Sequence, residues 1–124
     1  MHIELETYSG VLKGEISKGN RMSTRGVLLL HPHPLYGGNM NNNVILAIDE
    51  VIREFGVSTL RFDFRGPNSS LGQYEGPRGA VEDASIMIEY MKTKMGVKDL
   101  AIIGYSFGGS VALGVSTHHL PSFL

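Results

Sequence analysis

The 124 residues are 42% hydrophobic and 19% charged, with 16 glycines, the composition of one small globular domain rich in tight turns. Eleven Lys and Arg against twelve Asp and Glu give a formal charge of -1, which exerts no long-range pull toward nucleic acid or an anionic membrane. The absence of cysteine excludes disulfides, thiol chemistry and cysteine-ligated metal, and no stretch reads as a leader or a membrane span. The expectation is a soluble, cytoplasmic protein with no nucleic-acid or membrane partner.

In chain order, His2 to Thr7 alternates polar and apolar residues, Ser9-Gly10 turns, and Val11 to Ile16 resumes the alternation. This is the pattern of an antiparallel hairpin with one wet face. Gly26 to Leu30 is instead continuously apolar, as suits a strand covered by helices on both faces. Val44, Ile45, Ala47, Ile48, Val51, Ile52 and Phe55 then recur at helical spacing with Gly56 as the stop. Val57 to Phe62 reads as a further strand ending near Asp63, followed by a loop of glycine, proline and serine running to Arg78. Ala80, Ala84, Ile86 to Ile88 and Met91 mark a second helix, acidic early (Glu82, Asp83) and basic late (Lys92, Lys94), which matches the helix dipole. A strand from Asp99 to Tyr105 and a helix from Phe107 to about Ser116 complete the pattern. Strands alternating with helices predict parallel pairing with right-handed crossovers.

The segment Gly104-Tyr105-Ser106-Phe107-Gly108 lies between that last strand and helix. A serine in a sharp strand-to-helix turn must have neighbours without bulk two positions away on each side, and both are glycine. The same turn directs the first N–H groups of the helix toward developing negative charge on a reacting oxygen. Competing phosphate-cradle readings fail on residue type, since Ser110 stands where a Walker loop requires lysine and Ser106 where a dinucleotide fingerprint requires glycine. A second segment, His31-Pro32-His33-Pro34-Leu35-Tyr36-Gly37-Gly38, follows the first buried strand, at the sheet edge where open α/β folds build their sites. Proline has no N–H to offer, so an oxyanion donor from this loop comes from His33 or Leu35, with Phe107 supplying the other. The pair His31 and His33, with Asp63, also has the residue types of a zinc site. Such a site needs a third and usually a fourth convergent ligand, and the two prolines are better explained as stiffening the loop. The expectation is neither metal nor cofactor.

Three segments together resemble the α/β-hydrolase superfamily, specifically its small dienelactone-hydrolase-like or serine-aminopeptidase-like group. They are His31 to Gly38, Leu60-Arg-Phe-Asp-Phe-Arg-Gly66 and Gly104 to Gly109, and the resemblance covers residues 1 to 117. It implies an α/β three-layer sandwich, incomplete, with a mostly parallel sheet and an antiparallel amino-terminal hairpin. The strand ending at His31 would lie between those ending at Asp63 and Tyr105. It also implies Ser106 as nucleophile, an oxyanion hole from the His33 to Tyr36 loop and Phe107, a pocket rim shaped by Asp63 to Gly66, and a small acyl substrate, an ester or a relative.

The family draws its acid and histidine from later loops, and no Asp or Glu follows Ser106 here. His118 and His119 would sit about 18 Å along the helix from Ser106 at a 1.5 Å rise per residue. The chain therefore reads as a single domain over 1–124, truncated after the elbow helix, whose activity is doubtful. The alternative is an inactive structural or interaction protein that keeps the half-fold. An improvised arrangement using His31 or His33 between Asp63 and Ser106, with Tyr36 in the site wall, is a further possibility. The strand from Asp99 to Tyr105 would stand at the sheet edge without the charges, proline or bulge that block edge pairing. A homo-oligomer or a missing carboxyl-terminal polypeptide is the expected remedy, unless the tail from His118 folds back.

Overall fold

The computed structural model describes residues 1–7, 9–20, 22–67 and 73–116. Five strands form one mixed sheet: β1 (His2–Thr7), β2 (Gly10–Ser17), β3 (Arg25–Leu30), β4 (Ser58–Phe62) and β5 (Asp99–Gly104), in the spatial order β1-β2-β4-β3-β5. The hairpin β1-β2 is antiparallel and β2 runs antiparallel to β4, whereas β3 is parallel to both β4 and β5. β3 thus lies between the strands that lead to Asp63 and to Ser106, as the resemblance implies.

Among the described residues, three α-helices cover the sheet: α1 (Asn43–Glu54), α2 (Gly76–Thr93) and α3 (Phe107–Ser116). The alternation of β3 splits its side chains between two cores. Val27 and Leu29 pack with Ile45, Ile48 and Ile52 of α1 on one face, while Leu28 and Leu30 join Ala84, Met87 and Ile88 of α2 and Val111, Ala112 and Val115 of α3 on the other. The sheet is the middle of three layers, and β3 reads as a continuous apolar run because both its faces are covered.

The helix ends follow local chemistry. Asn42 caps α1 by accepting hydrogen bonds from the Val44 and Ile45 N–H groups at 2.9 and 3.3 Å, and Gly56 follows it with φ +74°. α2 begins at Gly76, two residues before the end of the expected loop, because Pro77 is compatible with the first turn of a helix. Phe107 to Ser116 forms α3 as expected; His118 and His119 lie outside the described residues. No helix among the described residues is long and apolar enough to cross a membrane.

A buried ion pair fastens the loop after β4 to α2. Arg65, 4% exposed, donates to fully buried Asp83 through its backbone N–H (2.8 Å), Nε (2.9 Å) and Nη2 (2.8 Å), and through Nη1 to Glu75 (2.9 Å). Burial opposes the guanidinium charge, but the hydrogen bonds and charge of Asp83, backed by Glu75 and Glu82, hold Arg65 above its ordinary value. Burial also pushes the Asp83 carboxyl up, against the bonds from Arg65. These directions oppose one another for an ion pair, and the first governs: three N–H groups converging on one carboxylate are the arrangement of an ionised pair. Removing one partner leaves a charge stranded in the interior. Asp83→Ala is expected to lower the unfolding free energy by about 3–5 kcal/mol, and Glu75→Ala, whose carboxylate is exposed, by less than about 1 kcal/mol. Urea denaturation of the two variants against the wild type checks both values.

Candidate active site

Ser106 follows β5 and precedes α3 with φ +58°, the one non-glycine residue with positive φ among the described residues. Held in that left-handed region, a non-glycine residue carries roughly 1–3 kcal/mol of strain, so its surroundings must impose it. They do so by close backbone approach. The Tyr105 N–H donates to the Leu30 carbonyl at 3.0 Å, and the Gly108 and Gly109 N–H groups donate to the carbonyls of Tyr105 and Ser106 at 3.0 and 2.9 Å. A Cβ on Gly104 would collide with the backbone of Gly108 and Gly109, and one on Gly108 with the Leu30 and His31 carbonyls. The two glycines flanking Ser106 are therefore required by backbone on backbone. Phe107 opens α3, so its N–H belongs to the first turn and has no intrahelical acceptor.

The loop after β3 meets this turn. His33 caps a short 3-10 turn, Pro34–Tyr36, which the sequence pattern did not disclose, and its carbonyl accepts from Tyr36 (3.1 Å) and Gly38 (2.9 Å). Gly37 closes the turn at φ +84°, and a Cβ on Gly38 would strike the Pro32 backbone. The His33 ring lies 4.6 Å from the Phe107 ring and 4.8 Å from that of Tyr36, centroid to centroid. Leu35, Tyr36 and Tyr105 are exposed beside it. Ser106, His33, Phe107 and Tyr36 are thus brought to one edge. The Leu35 N–H is not available as expected, because it donates to His33 Nδ1 at 3.1 Å.

His31 and Asp63 serve other ends, and the improvised relay is corrected accordingly. His31 is fully buried; its Nδ1 bonds to the Pro32 carbonyl at 2.5 Å and its Nε2 accepts from the Phe64 N–H at 3.1 Å. That pattern places the proton on Nδ1. His33 commits Nδ1 to Leu35 and pairs Nε2 with the Tyr74 hydroxyl at 3.1 Å. Asp63, 4% exposed, accepts the Met40 N–H on Oδ1 at 2.8 Å. Neither histidine has a ring nitrogen left for Ser106, and the carboxylate anchors backbone. Phe64, Arg65 and Gly66 are buried as well, so the Asp63 to Gly66 turn supports the site from beneath. Sequence reasoning missed the Tyr74 contact and the Arg65–Asp83 pair; the one available signal was Asp83 interrupting the apolar stripe of α2.

Burial lowers the pKa of His31, outweighing the Pro32 carbonyl and the Asp63 charge that favour its cation. Below the unfolded value near 6.5, the unfolded chain therefore binds more protons than the folded one, so the contribution of His31 to stability rises with pH and is lost on acidification. The unfolding free-energy difference between the wild type and His31→Gln is expected to be full above about pH 6.5 and to shrink on acidification toward the folded pKa. Urea denaturation across that range checks the sign. A constant difference would show that His31 gains no proton on unfolding.

No family model matches the chain. An uncharacterized protein of Rickettsia prowazekii is 33% identical over 105 residues, covering 84% of this chain and 44% of that protein. An α/β serine hydrolase homologue from Coxiella burnetii superposes with a TM-score of 0.88 at 29% identity, covering 98% of this chain and 61% of that one. A candidate α/β hydrolase of unknown function from Agrobacterium tumefaciens gives 0.88 at 27% identity, over 96% and 55%. The chain spans about half the length of these proteins, consistent with an amino-terminal half. With β3 between β4 and β5, glycine-flanked Ser106 on a strand-turn-helix, and that superposition, the chain has the fold of the amino-terminal part of an α/β hydrolase.

Proposed function

We propose that this chain carries the nucleophile half of a serine hydrolase acting on carboxylic esters or related acyl substrates. The observation that carries the reading is the positive φ of Ser106 between two glycines that admit no side chain. On this reading Ser106 Oγ attacks the substrate carbonyl carbon, and the Phe107 and His33 N–H groups receive the oxyanion of the tetrahedral intermediate. The serine proton passes to a base and then to the departing alcohol as the C–O bond breaks. Exposed Leu35, Tyr36 and Tyr105 give the approach an apolar component. The base and its acid come from polypeptide outside residues 1–124 in this proposal, because no Asp or Glu follows Ser106 and the ring nitrogens of His31 and His33 are committed. A cytoplasmic setting is part of the same proposal.

Those committed nitrogens also favour a second reading, an inactive structural or interaction protein. Labelling with a fluorophosphonate and ester turnover, each compared with Ser106→Ala, separate the two. The hydrolase reading expects an adduct on Ser106 and slow ester turnover that falls in Ser106→Ala, because a serine without its base is a weak nucleophile. Turnover indifferent to Ser106→Ala rejects it.

The reading extends to assembly. Among the described residues β5 pairs with β3 alone, and Leu100, Ala101 and Ile103 are half-buried along it. Such an apolar edge is a template for strand addition, and we propose that the isolated chain pairs with a second copy there. Light scattering over a dilution series is expected to show a mass above 13.5 kDa that falls on dilution. A persistent monomer overturns it.

A further inference from the structure

The loop after β4 contributes one more side chain to the elbow. Tyr74 lies just before α2, with its hydroxyl 3.1 Å from His33 Nε2 and its ring 4.8 Å from the His33 ring and 6.2 Å from the Phe107 ring, centroid to centroid. At its other end, Tyr74 Cβ and Pro34 Cβ converge on Gly66, both within 3.6 Å of where a Gly66 Cβ would stand. The loops that follow β3, β4 and β5 are therefore joined at one aromatic cluster.

The bond pattern fixes the direction of the hydrogen bonds. His33 Nδ1 accepts the Leu35 N–H, so the ring proton resides on Nε2 and is donated to the Tyr74 oxygen. The imidazole spans the gap between the backbone of its own loop and a residue on the next, and the Tyr74 hydroxyl keeps its own proton for another acceptor. A ring held at both nitrogens and packed on Phe107 has little freedom to swing. The His33 backbone, whose N–H the proposed mechanism uses as an oxyanion donor, is held with it.

We propose that Tyr74 is a positioning residue for the Ser106 site: by accepting from His33 it locks the strand-end loop against Phe107 and keeps the His33 N–H aimed at the carbonyl under attack. The proposal rests on the serine-hydrolase reading. Oxyanion donors act by being fixed before the charge develops, and a displacement of about 1 Å in such a constellation costs on the order of 10²-fold. Tyr74→Phe removes the hydroxyl and leaves the ring in place against Phe107.

The test uses the whole 124-residue chain in two measurements. In nitrogen-15 NMR, the wild-type His33 is expected as the Nε2–H tautomer. Tyr74→Phe is expected to shift the His33 ring signals and the Leu35 and Phe107 amides, leaving the β1-β2 hairpin and the urea midpoint unchanged. In the second measurement, fluorophosphonate labelling of Ser106 is expected to slow roughly 10- to 100-fold in Tyr74→Phe. An Nδ1–H tautomer in the wild type overturns the proposal without any variant, which keeps it testable if Tyr74→Phe fails to fold. Unmoved Leu35 and Phe107 amides, or moved amides with an unchanged labelling rate, overturn it and leave the hydrolase reading intact. Wild-type chain that takes no label while the spectra shift defeats the hydrolase reading, and Tyr74 then fastens a loop with no site to position.

Discussion

The architecture turns on how closely the start of α3 approaches the end of β3. Gly108 lies so near the Leu30 and His31 carbonyls that no Cβ fits between them, and the Tyr105 N–H bonds to Leu30. Once that contact is made, the chain leaving β5 has no room for a gradual turn, and Ser106 takes up a conformation its side chain disfavours. The stabilisation from burying Val111, Ala112 and Val115 under α3 offsets the strain at a single residue. A helix docked by its glycines therefore sets the backbone of Ser106.

The same contact explains why the loop after β3 is so heavily constrained. Its first residue touches the elbow, so the path away from the sheet is fixed at the outset. Pro32, Pro34 and two adjacent glycines then turn it within one short 3-10 segment. Asp63 secures its far end through the Met40 N–H, and His31 secures its near end. What remains to be positioned is the side of His33, which meets Phe107, Tyr36 and Tyr74. Rigidity here comes from backbone-directed bonds, while the exposed residues supply contact surface.

Much of this was legible in the chain and some was not, for definable reasons. The unbroken apolar run at β3 announced burial on both faces, and Leu28 and Leu29 do enter different cores. The glycines around Ser106 were legible because their need is steric and local. Long-range polar pairings left no such trace. Arg65 and Asp83 are 18 residues apart and His33 and Tyr74 are 41 apart. Nothing at either member names the other, although Asp83 at an interior position of an apolar helix face required some partner. His31 misled because its residue type and strand-end position suit catalysis, whereas its burial and backbone partners are settled only by the fold.

His31 also stands in for a length of sheet. β3 ends at Leu30 and β4 at Phe62, yet the Phe64 N–H still finds an acceptor, the His31 ring, on the neighbouring strand's side. With its other nitrogen bonded to the Pro32 carbonyl, the imidazole reproduces the donor and acceptor of a peptide unit at a reach no peptide has. The ladder is thereby carried one rung past the point where the two strands part. The two parallel strands can then part at their carboxyl ends without leaving the Phe64 amide unanswered in the protein interior.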